Sequence, residues 1–188
     1  MKIWQNRKNN YNKQQFNSIF VLKKEGVSSV NEKQDLKILL GFHKNDFVII
    51  DLSKEDYLIG LMPYLDENIK MMAFKTKMLE NQVKEYHLEN KVYFLEDNED
   101  YFKISNLGIV TDSSDEEYLK KAMSLQIPLL ALNCKNKQQF IKNDVTGYVI
   151  NSQNEMINMI HFLKNNKKYN YNLGMNSYYY LENSITQV

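Results

Sequence analysis

The strongest constraint on the fold is a repeated change of hydrophobic spacing along the chain. Short continuous apolar runs, typical of strands buried on both faces of a sheet, alternate with stretches of helical spacing. The apolar runs cover residues 46–52, 69–74, 91–95, 107–111, 128–132 and 147–150. The helical stretches cover residues 32–42, 54–65, 76–89, 97–105, 114–126, 135–143 and 153–165. Strands and helices that alternate through short links imply parallel pairing through right-handed crossovers.

The alternation predicts an α/β fold, a Rossmann-like three-layer domain with a mostly parallel six-stranded sheet, over residues 32–165. Residues 1–31 form an N-terminal extension outside the pattern, and residues 166–188 form a polar C-terminal tail rich in Tyr and Asn. This composition leaves three interpretations of the tail open, namely a final helix, a docking arm or a partly disordered segment.

Composition excludes several classes of function. The 24 basic and 23 acidic side chains nearly cancel, so no overall positive field attracts nucleic acid. Arg7 is the one arginine, which argues against phosphate recognition by arginine forks. The single cysteine, Cys134, rules out a disulfide framework or a cysteine-rich zinc site, and we expect no metal. With no apolar run near the length of a membrane span and no leader-like start, we expect a cytoplasmic protein without a transmembrane segment.

Ligands of open α/β sheets bind outside the carboxyl ends of the strands, so the residues that follow each run are the candidates. Lys54, after the first run, could contact a phosphate; the alternative is a solvated lysine beside an N-capping Ser53. After the fourth run, the acidic stretch 111–117 could hold a ribose hydroxyl or a metal, or it could cap the next helix. Neither a G-x-G-x-x-G motif nor a P-loop is present.

The order of motifs resembles the C-terminal domain of group 1 (family 4) GT-B glycosyltransferases. The segment LKILLGFHKNDFVII resembles the helix and strand that open this domain. The other resembling segments are 54–59 (the family's KG-x-x-x-L-I helix), 91–95 (its V-x-F-x-G strand), 101–113 (its Y-x-x-A-D-L-x-V-x-P-S segment), 122–131 (its EAM-A-x-G-x-P-V-I-A segment) and 143–150 (its N-G-x-x-G-Y-L-V segment). The resemblance extends over about residues 35–165 and implies one half of a GT-B fold.

In the family this domain binds a nucleotide-sugar donor, and a separate domain supplies the acceptor contacts. The resemblance therefore implies a UDP-sugar as substrate and a set of donor-binding residues. These are Lys54 for the diphosphate, Asp112, Ser113, Asp115 and Glu116 near the ribose, and Thr146 and Gly147.

The sequence departs from the family at its catalytic positions. The second of the family's paired glutamates is Lys121 here, and the first is Ser113 unless a small shift recruits Asp115 or Glu116. The Gly-Arg that precedes the family's lysine is Asp51-Leu52 or nearby. The resemblance thus supplies no catalytic residue.

Two hypotheses follow from this departure. One is a non-catalytic accessory or partner-binding module in protein or cell-wall glycosylation or in adhesin export. The other is an active hexosyltransferase, or the donor-binding half of a split one. The nearest branch resembles the transferases that act on teichoic acid or serine-rich adhesins and their accessory secretion relatives. Both hypotheses imply a protein partner or a separate acceptor-binding domain.

Overall fold

The computed structural model of the protein describes residues 30–53, 56–95 and 100–185. Within them, six strands form a single sheet in the order β3-β2-β1-β4-β5-β6, and every neighbouring pair is parallel. The strands are β1 (Phe47–Asp51), β2 (Ile69–Phe74), β3 (Val92–Leu95), β4 (Leu107–Val110), β5 (Leu129–Leu132) and β6 (Gly147–Ile150). The predicted Rossmann-like α/β fold is confirmed.

Helices cover both faces of the sheet. They are α1 (Val30–Leu39), the 3-10 helix η1 (Asp56–Tyr64), α2 (Lys77–Glu85), α3 (Asp100–Ile104), α4 (Glu116–Ser124), α5 (Gln153–Asn165) and α6 (Lys167–Ile185). Side chains of η1, α2 and α5 join one buried cluster, and those of α3, α4 and the end of α1 join the other. Alternate residues of β1 supply both clusters, because successive strand side chains point to opposite faces. The described chain therefore has the three predicted layers.

The predicted helix at 135–143 is absent from the structure, which has turns there. Buried Phe140 and Ile141 tie one turn to the second cluster, and their N–H groups both bond to the Lys137 carbonyl, at 2.9 and 3.3 Å. The Thr146 hydroxyl donates to the Phe140 carbonyl at 2.9 Å and accepts from the Lys142 N–H at 2.8 Å. These side-chain bonds replace the bonds of a helix, so β5 connects to β6 through a folded loop.

The C-terminal tail is the helix α6, and it lies across the amino end of the sheet, where β4, β5 and β6 begin. The Asn170 amide donates to the Asn106 carbonyl, just before β4, at 2.9 Å. The Ser177 hydroxyl donates to the Thr146 carbonyl, just before β6, at 2.7 Å. Between them, Gly174 packs on Gln126, ahead of β5. Positions 170, 174 and 177 share one helical face, so α6 closes this end of the sheet.

The docking of α6 depends on a close backbone approach. A Cβ atom on Gly174 would lie 1.9 Å from the Gln126 carbonyl oxygen, a distance that no side chain tolerates. Leu173, Tyr178 and Leu181 on the same helix are buried, and Leu173 and Leu181 belong to the two core clusters. Of the three interpretations of the tail, the structure therefore shows the final helix, packed on the domain. The predicted N-terminal extension lies outside the described residues except for the start of α1. No helix of the described chain is long and apolar enough to cross a membrane.

Candidate functional site

The topology places a crevice between β1 and β4. The chain leaves β1 toward β2 and leaves β4 toward β5, so the two connections diverge to opposite sides at this point. In open α/β sheets this switch point is where ligands bind, outside the carboxyl ends of the strands. We call the space beside residues 51–53 and 111–117 the switch crevice. It contains most of the candidate residues that follow strands.

The β1 side of the switch crevice is buried and bonded to its surroundings. Leu52 continues the pairing with β4, since its N–H donates to the Ile109 carbonyl at 2.9 Å. The Asp51 carboxylate accepts from the Ser53 N–H at 2.9 Å. Leu52 has no exposed surface, and it stands at or near the place of the family's arginine, so a buried leucine offers no contact to a phosphate there. Lys54 lies outside the described residues.

The β4 side is a tight turn. The Ser114 hydroxyl accepts from the Thr111 N–H at 3.0 Å, and the Ser114 N–H donates to the Thr111 carbonyl at 3.1 Å. The Thr111 and Ser113 hydroxyl oxygens are 2.8 Å apart, so one donates to the other. Thr111 and Ser114 are buried, whereas Asp112 and Ser113 are exposed. Two of the four candidate residues of this stretch thus sit on an exposed turn.

Asp112 connects the turn to the loop after β5. Its carboxylate accepts from the Asn136 N–H at 2.8 Å and from the Cys134 thiol at 3.1 Å. The Asn136 bond, and after it the thiol bond, lower the pKa of Asp112 below its ordinary value. Nothing in the sequence signals this link, because the partners lie 22 and 24 positions away.

Cys134 is not poised as a nucleophile. Its thiol is buried, and burial together with the nearby Asp112 carboxylate raises its pKa to about 11. The thiolate, the reactive form, is therefore scarce near neutral pH.

The amino terminus of α4 is already balanced by carboxylates. Asp115 is the N-cap and accepts from the Glu117 N–H at 2.9 Å, so the structure shows the capping alternative for this residue. Glu116 and Glu117 lie in the first turn, and the Glu116 carboxylate is 3.4 Å from the Lys137 Nζ atom. Helix amino termini bind phosphate through free N–H groups and a positive dipole. At α4, the Asp115 carboxylate already accepts from one of these N–H groups, and the negative charges of the first turn offset the positive dipole.

Lys121 is the residue that the resemblance places at the second glutamate of the family. Its Nζ atom lies 4.9 Å from the centre of the Phe102 ring, within the range of a cation–π contact. Phe102 in turn stacks on Tyr118 with 6.1 Å between ring centres. The side chain at this position therefore carries a positive charge held on aromatic rings of α3 and α4.

The structure does not bring Thr146 and Gly147 to the switch crevice. Gly147 starts β6 and pairs with Leu129 at the start of β5, so both residues lie at the amino end of the sheet. A Cβ atom on Gly147 would lie 1.7 Å from the Leu129 carbonyl oxygen, and Thr146 is fully buried in the bonds that fold the preceding loop. Both residues thus lie at the opposite end of the strands from the switch crevice, and their role in donor binding stays a prediction. Their types are explained by packing.

Among the described residues, no group of three or more His, Cys, Asp or Glu side chains is placed to hold a metal ion. Asp112 and Glu116 have nitrogen or thiol partners instead. These partners are donors, as expected for carboxylates that organise loops.

No protein-family model matches the sequence, and no curated protein sequence is similar to it. Solved structures do match the fold. HepE from Anabaena, in complex with UDP and glucose, superposes with a TM-score of 0.71 at 17% identity, over 83% of this chain and 48% of HepE. Sucrose-phosphate synthase from Thermosynechococcus elongatus gives 0.70 at 15% identity, over 86% of this chain and 46% of the synthase.

A third match defines which half of such proteins the chain corresponds to. The C-terminal domain of the group 1 glycosyltransferase LpcC from Francisella tularensis gives a TM-score of 0.67 at 14% identity, over 86% of this chain and 96% of that domain. The chain thus spans about half of the first two proteins, 48% and 46%, but nearly all of the third. It has the fold of the C-terminal half of a group 1 GT-B glycosyltransferase, and the resemblance read from the sequence is confirmed at the level of the fold.

Proposed function

We propose that the chain is a glycosyltransferase-like GT-B module with a degenerate donor site. It acts as an accessory, partner-binding component in protein or cell-wall glycosylation or in adhesin export. The observation that carries the proposal is the state of the switch crevice, where the described carboxylates have internal partners and Lys121 replaces the second glutamate.

The charge on the rim of the switch crevice supports the same conclusion. A nucleotide sugar brings a diphosphate, which needs cations or free N–H donors. The described rim presents the carboxylates of Asp112, Asp115, Glu116 and Glu117, and the ammonium group of Lys137 is already paired with Glu116. Loss of one preorganised donor to developing charge costs about 3 kcal/mol in transition-state stabilisation. A crevice without the arginine and the glutamate pair would therefore have little affinity for UDP-sugars and little activity.

A second candidate is an active hexosyltransferase, or the donor-binding half of a split one, that uses a UDP-sugar. The observation in its favour is the fold match over 83% of the chain to HepE, whose structure holds UDP and glucose. In this alternative Lys54 contacts the diphosphate, and residues from Asp112 to Glu116 contact the ribose. An acceptor-binding domain or a second polypeptide would complete the site.

Release of UDP from UDP-glucose and UDP-N-acetylglucosamine tests the proposal. We expect the full chain to release no UDP above the uncatalysed rate, and the double variant Ser113→Glu/Lys121→Glu to gain affinity for the donor. Ser124→Glu, an exposed change at the end of α4, controls for added negative charge. Turnover by the unmodified chain that Lys54→Ala abolishes would refute the proposal in favour of the second candidate.

A further inference from the structure

Three lysines converge at the amino end of the sheet, away from the switch crevice. Lys33 and Lys37 lie one turn apart on α1, and Lys167 is the first residue of α6, near enough to act on the charge of Lys37. The Lys37 Nζ atom donates to the Asp46 carbonyl at 2.5 Å and to the Asn106 side-chain oxygen at 2.9 Å. We call Lys33, Lys37 and Lys167 the lysine cluster.

The positive charge of the lysine cluster is poorly balanced. Lys33, half-buried, donates to the Ser105 carbonyl at 2.5 Å, so the two α1 lysines bond to neutral oxygens. Burial, opposed by Asp46 and reinforced by Lys167, lowers the pKa of Lys37 to about 8. Burial and then Lys37 lower the pKa of Lys33 to about 7. Both shifts have burial as their main cause, in keeping with ammonium groups that donate to neutral oxygens, and Asp46 offsets only part of the shift at Lys37.

Another buried lysine of the same chain shows what compensation requires. Lys91 is 5% exposed, much as Lys37 is 4% exposed. Its Nζ atom has two carbonyl acceptors, on Leu65 at 2.7 Å and on Met62 at 3.2 Å, and also the Glu67 carboxylate at 3.4 Å. Lys37 has two neutral acceptors for three ammonium protons. Its nearest carboxylate, on Asp46, accepts from the His43 N–H instead.

Two features of α6 favour the binding of an anion beside the lysine cluster. The helix has 19 residues and no acidic residue in its first turn, so its dipole places positive potential beside Lys167. Asn170, one turn further, bonds to the same Asn106 that Lys37 contacts. Its side-chain oxygen is buried and has no hydrogen-bond partner among the described residues. That oxygen can accept a hydrogen bond from a ligand that carries a hydroxyl group.

We propose that the lysine cluster is an anion site that binds a phosphoryl group at the amino end of the sheet. Phosphate and phosphate monoesters offer several acceptor oxygens to the ammonium groups, and the P–OH group of HPO4²⁻ or of a singly charged monoester can donate to Asn170. The site links α1 to α6, the first and last described helices, so an occupied site would stabilise both against the sheet. The proposal does not rest on the proposed function, because the two sites lie at opposite ends of the strands.

Titration of the full chain with inorganic phosphate, followed by amide NMR at constant ionic strength, tests the site. We expect saturation in the millimolar range, with shifted resonances in α1 and in the first turn of α6. Lys167→Met, an exposed change that spares the fold, weakens binding about tenfold if one charge-assisted hydrogen bond is lost. Lys70→Met is the matched control, since the partly exposed Lys70 also donates to a backbone carbonyl, that of Asn90 at 2.8 Å.

Proton uptake on binding distinguishes a defined anion site from nonspecific attraction of anions to exposed lysines. Because a bound anion favours the charged amines, binding raises the pKa values of Lys33 and Lys37 and takes up protons near pH 8. Calorimetric titration with sulfate measures this proton uptake, because sulfate itself does not titrate near pH 8. Among the described residues, the other titratable groups around Lys37 and its loop include Asp46, Lys167, Tyr93 and His43. Asp100 and Lys103 on α3 pair with each other.

The affinities of glycerol phosphate and inorganic phosphate are then compared to identify the source of the phosphoryl group. Tighter binding of glycerol phosphate would indicate a phosphorylated metabolite or the phosphorylated end of a polymer as the natural ligand. Three results would each overturn the proposal. These are no saturation by phosphate, equal weakening of binding by Lys167→Met and by the control Lys70→Met, and shifts confined to residues 111–117.

Discussion

The two ends of the sheet use their polar side chains in different ways. At the carboxyl end, Asp112 and Asp115 accept hydrogen bonds from the backbone of loops and helices, so the groups that could meet a ligand already organise the chain. At the amino end, α6 satisfies the carbonyls of Asn106 and Thr146, while the lysine cluster keeps unbalanced positive charge. A ligand site is therefore expected where charged side chains lack internal partners of opposite charge, even in a fold whose ligands usually bind at the carboxyl end of the sheet.

The largest expected change in stability comes from displacing α6 from the amino end of the sheet. Gly174→Ala places a methyl group 1.9 Å from the Gln126 carbonyl oxygen. The resulting displacement of α6 should lower the free energy of unfolding by about 3 kcal/mol, the upper range for overpacking. Denaturant unfolding measures the loss. Gly60→Ala is the control, because a Cβ atom there meets nothing within 4 Å. Equal stability of both variants would show that α6 is not closely docked.

The next effect is the pH dependence that the buried lysine creates. The folded pKa of Lys37, about 8, lies below its ordinary value of 10.5, so the unfolded chain binds more protons between these values. Lys37 should therefore contribute a rise in stability of about 3 kcal/mol as the pH rises through this window. Unfolding midpoints measured across the window should be flatter for Lys37→Met, whereas Lys70→Met should retain the slope. A flat profile for the unmodified chain would contradict the burial of an uncompensated lysine.

The smallest effect concerns the carboxyl end. The lowered pKa of Asp112 means that its carboxylate stabilises the folded chain above the unfolded pKa, and that this contribution disappears as the pH falls through the folded value. Asp112→Asn should therefore reduce the acid sensitivity of unfolding slightly. Asp35→Asn, an exposed change on α1, provides the baseline. Identical acid profiles for Asp112→Asn and the unmodified chain would show that the link to Asn136 adds no stability.

Sequence patterns predicted the sheet well because every strand is a short apolar run, and the central strands β1 and β4 are buried along their whole length. The apolar runs at 69–74 and 147–150 match β2 and β6 at both ends. The same reasoning failed at 135–143, where the Thr146 hydroxyl and the burial of Phe140 outweigh a weak helical spacing. Local periodicity carries no information about such bonds.

The final helix shows the opposite limit. Besides the buried Leu173 and Leu181, its docking face includes Asn170, Gly174 and Ser177, whose small or polar side chains contact backbone carbonyls. An apolar stripe is the usual signal of a packed helix, so composition alone left α6 undecided. Likewise, Lys37 has the sequence context of an ordinary solvated lysine, and its burial depends on the tertiary positions of the Asp46 carbonyl and the Asn106 side chain.

The central claim is that the switch crevice does not bind a nucleotide-sugar donor, and calorimetric titration of the full chain with UDP and UDP-glucose tests it most directly. We expect that neither ligand saturates the chain at micromolar concentrations, and that Lys54→Ala leaves the measured heats of titration unchanged. Micromolar saturation that Lys54→Ala weakens about tenfold, the effect of one lost charge-assisted hydrogen bond, would contradict the account and identify a working donor site.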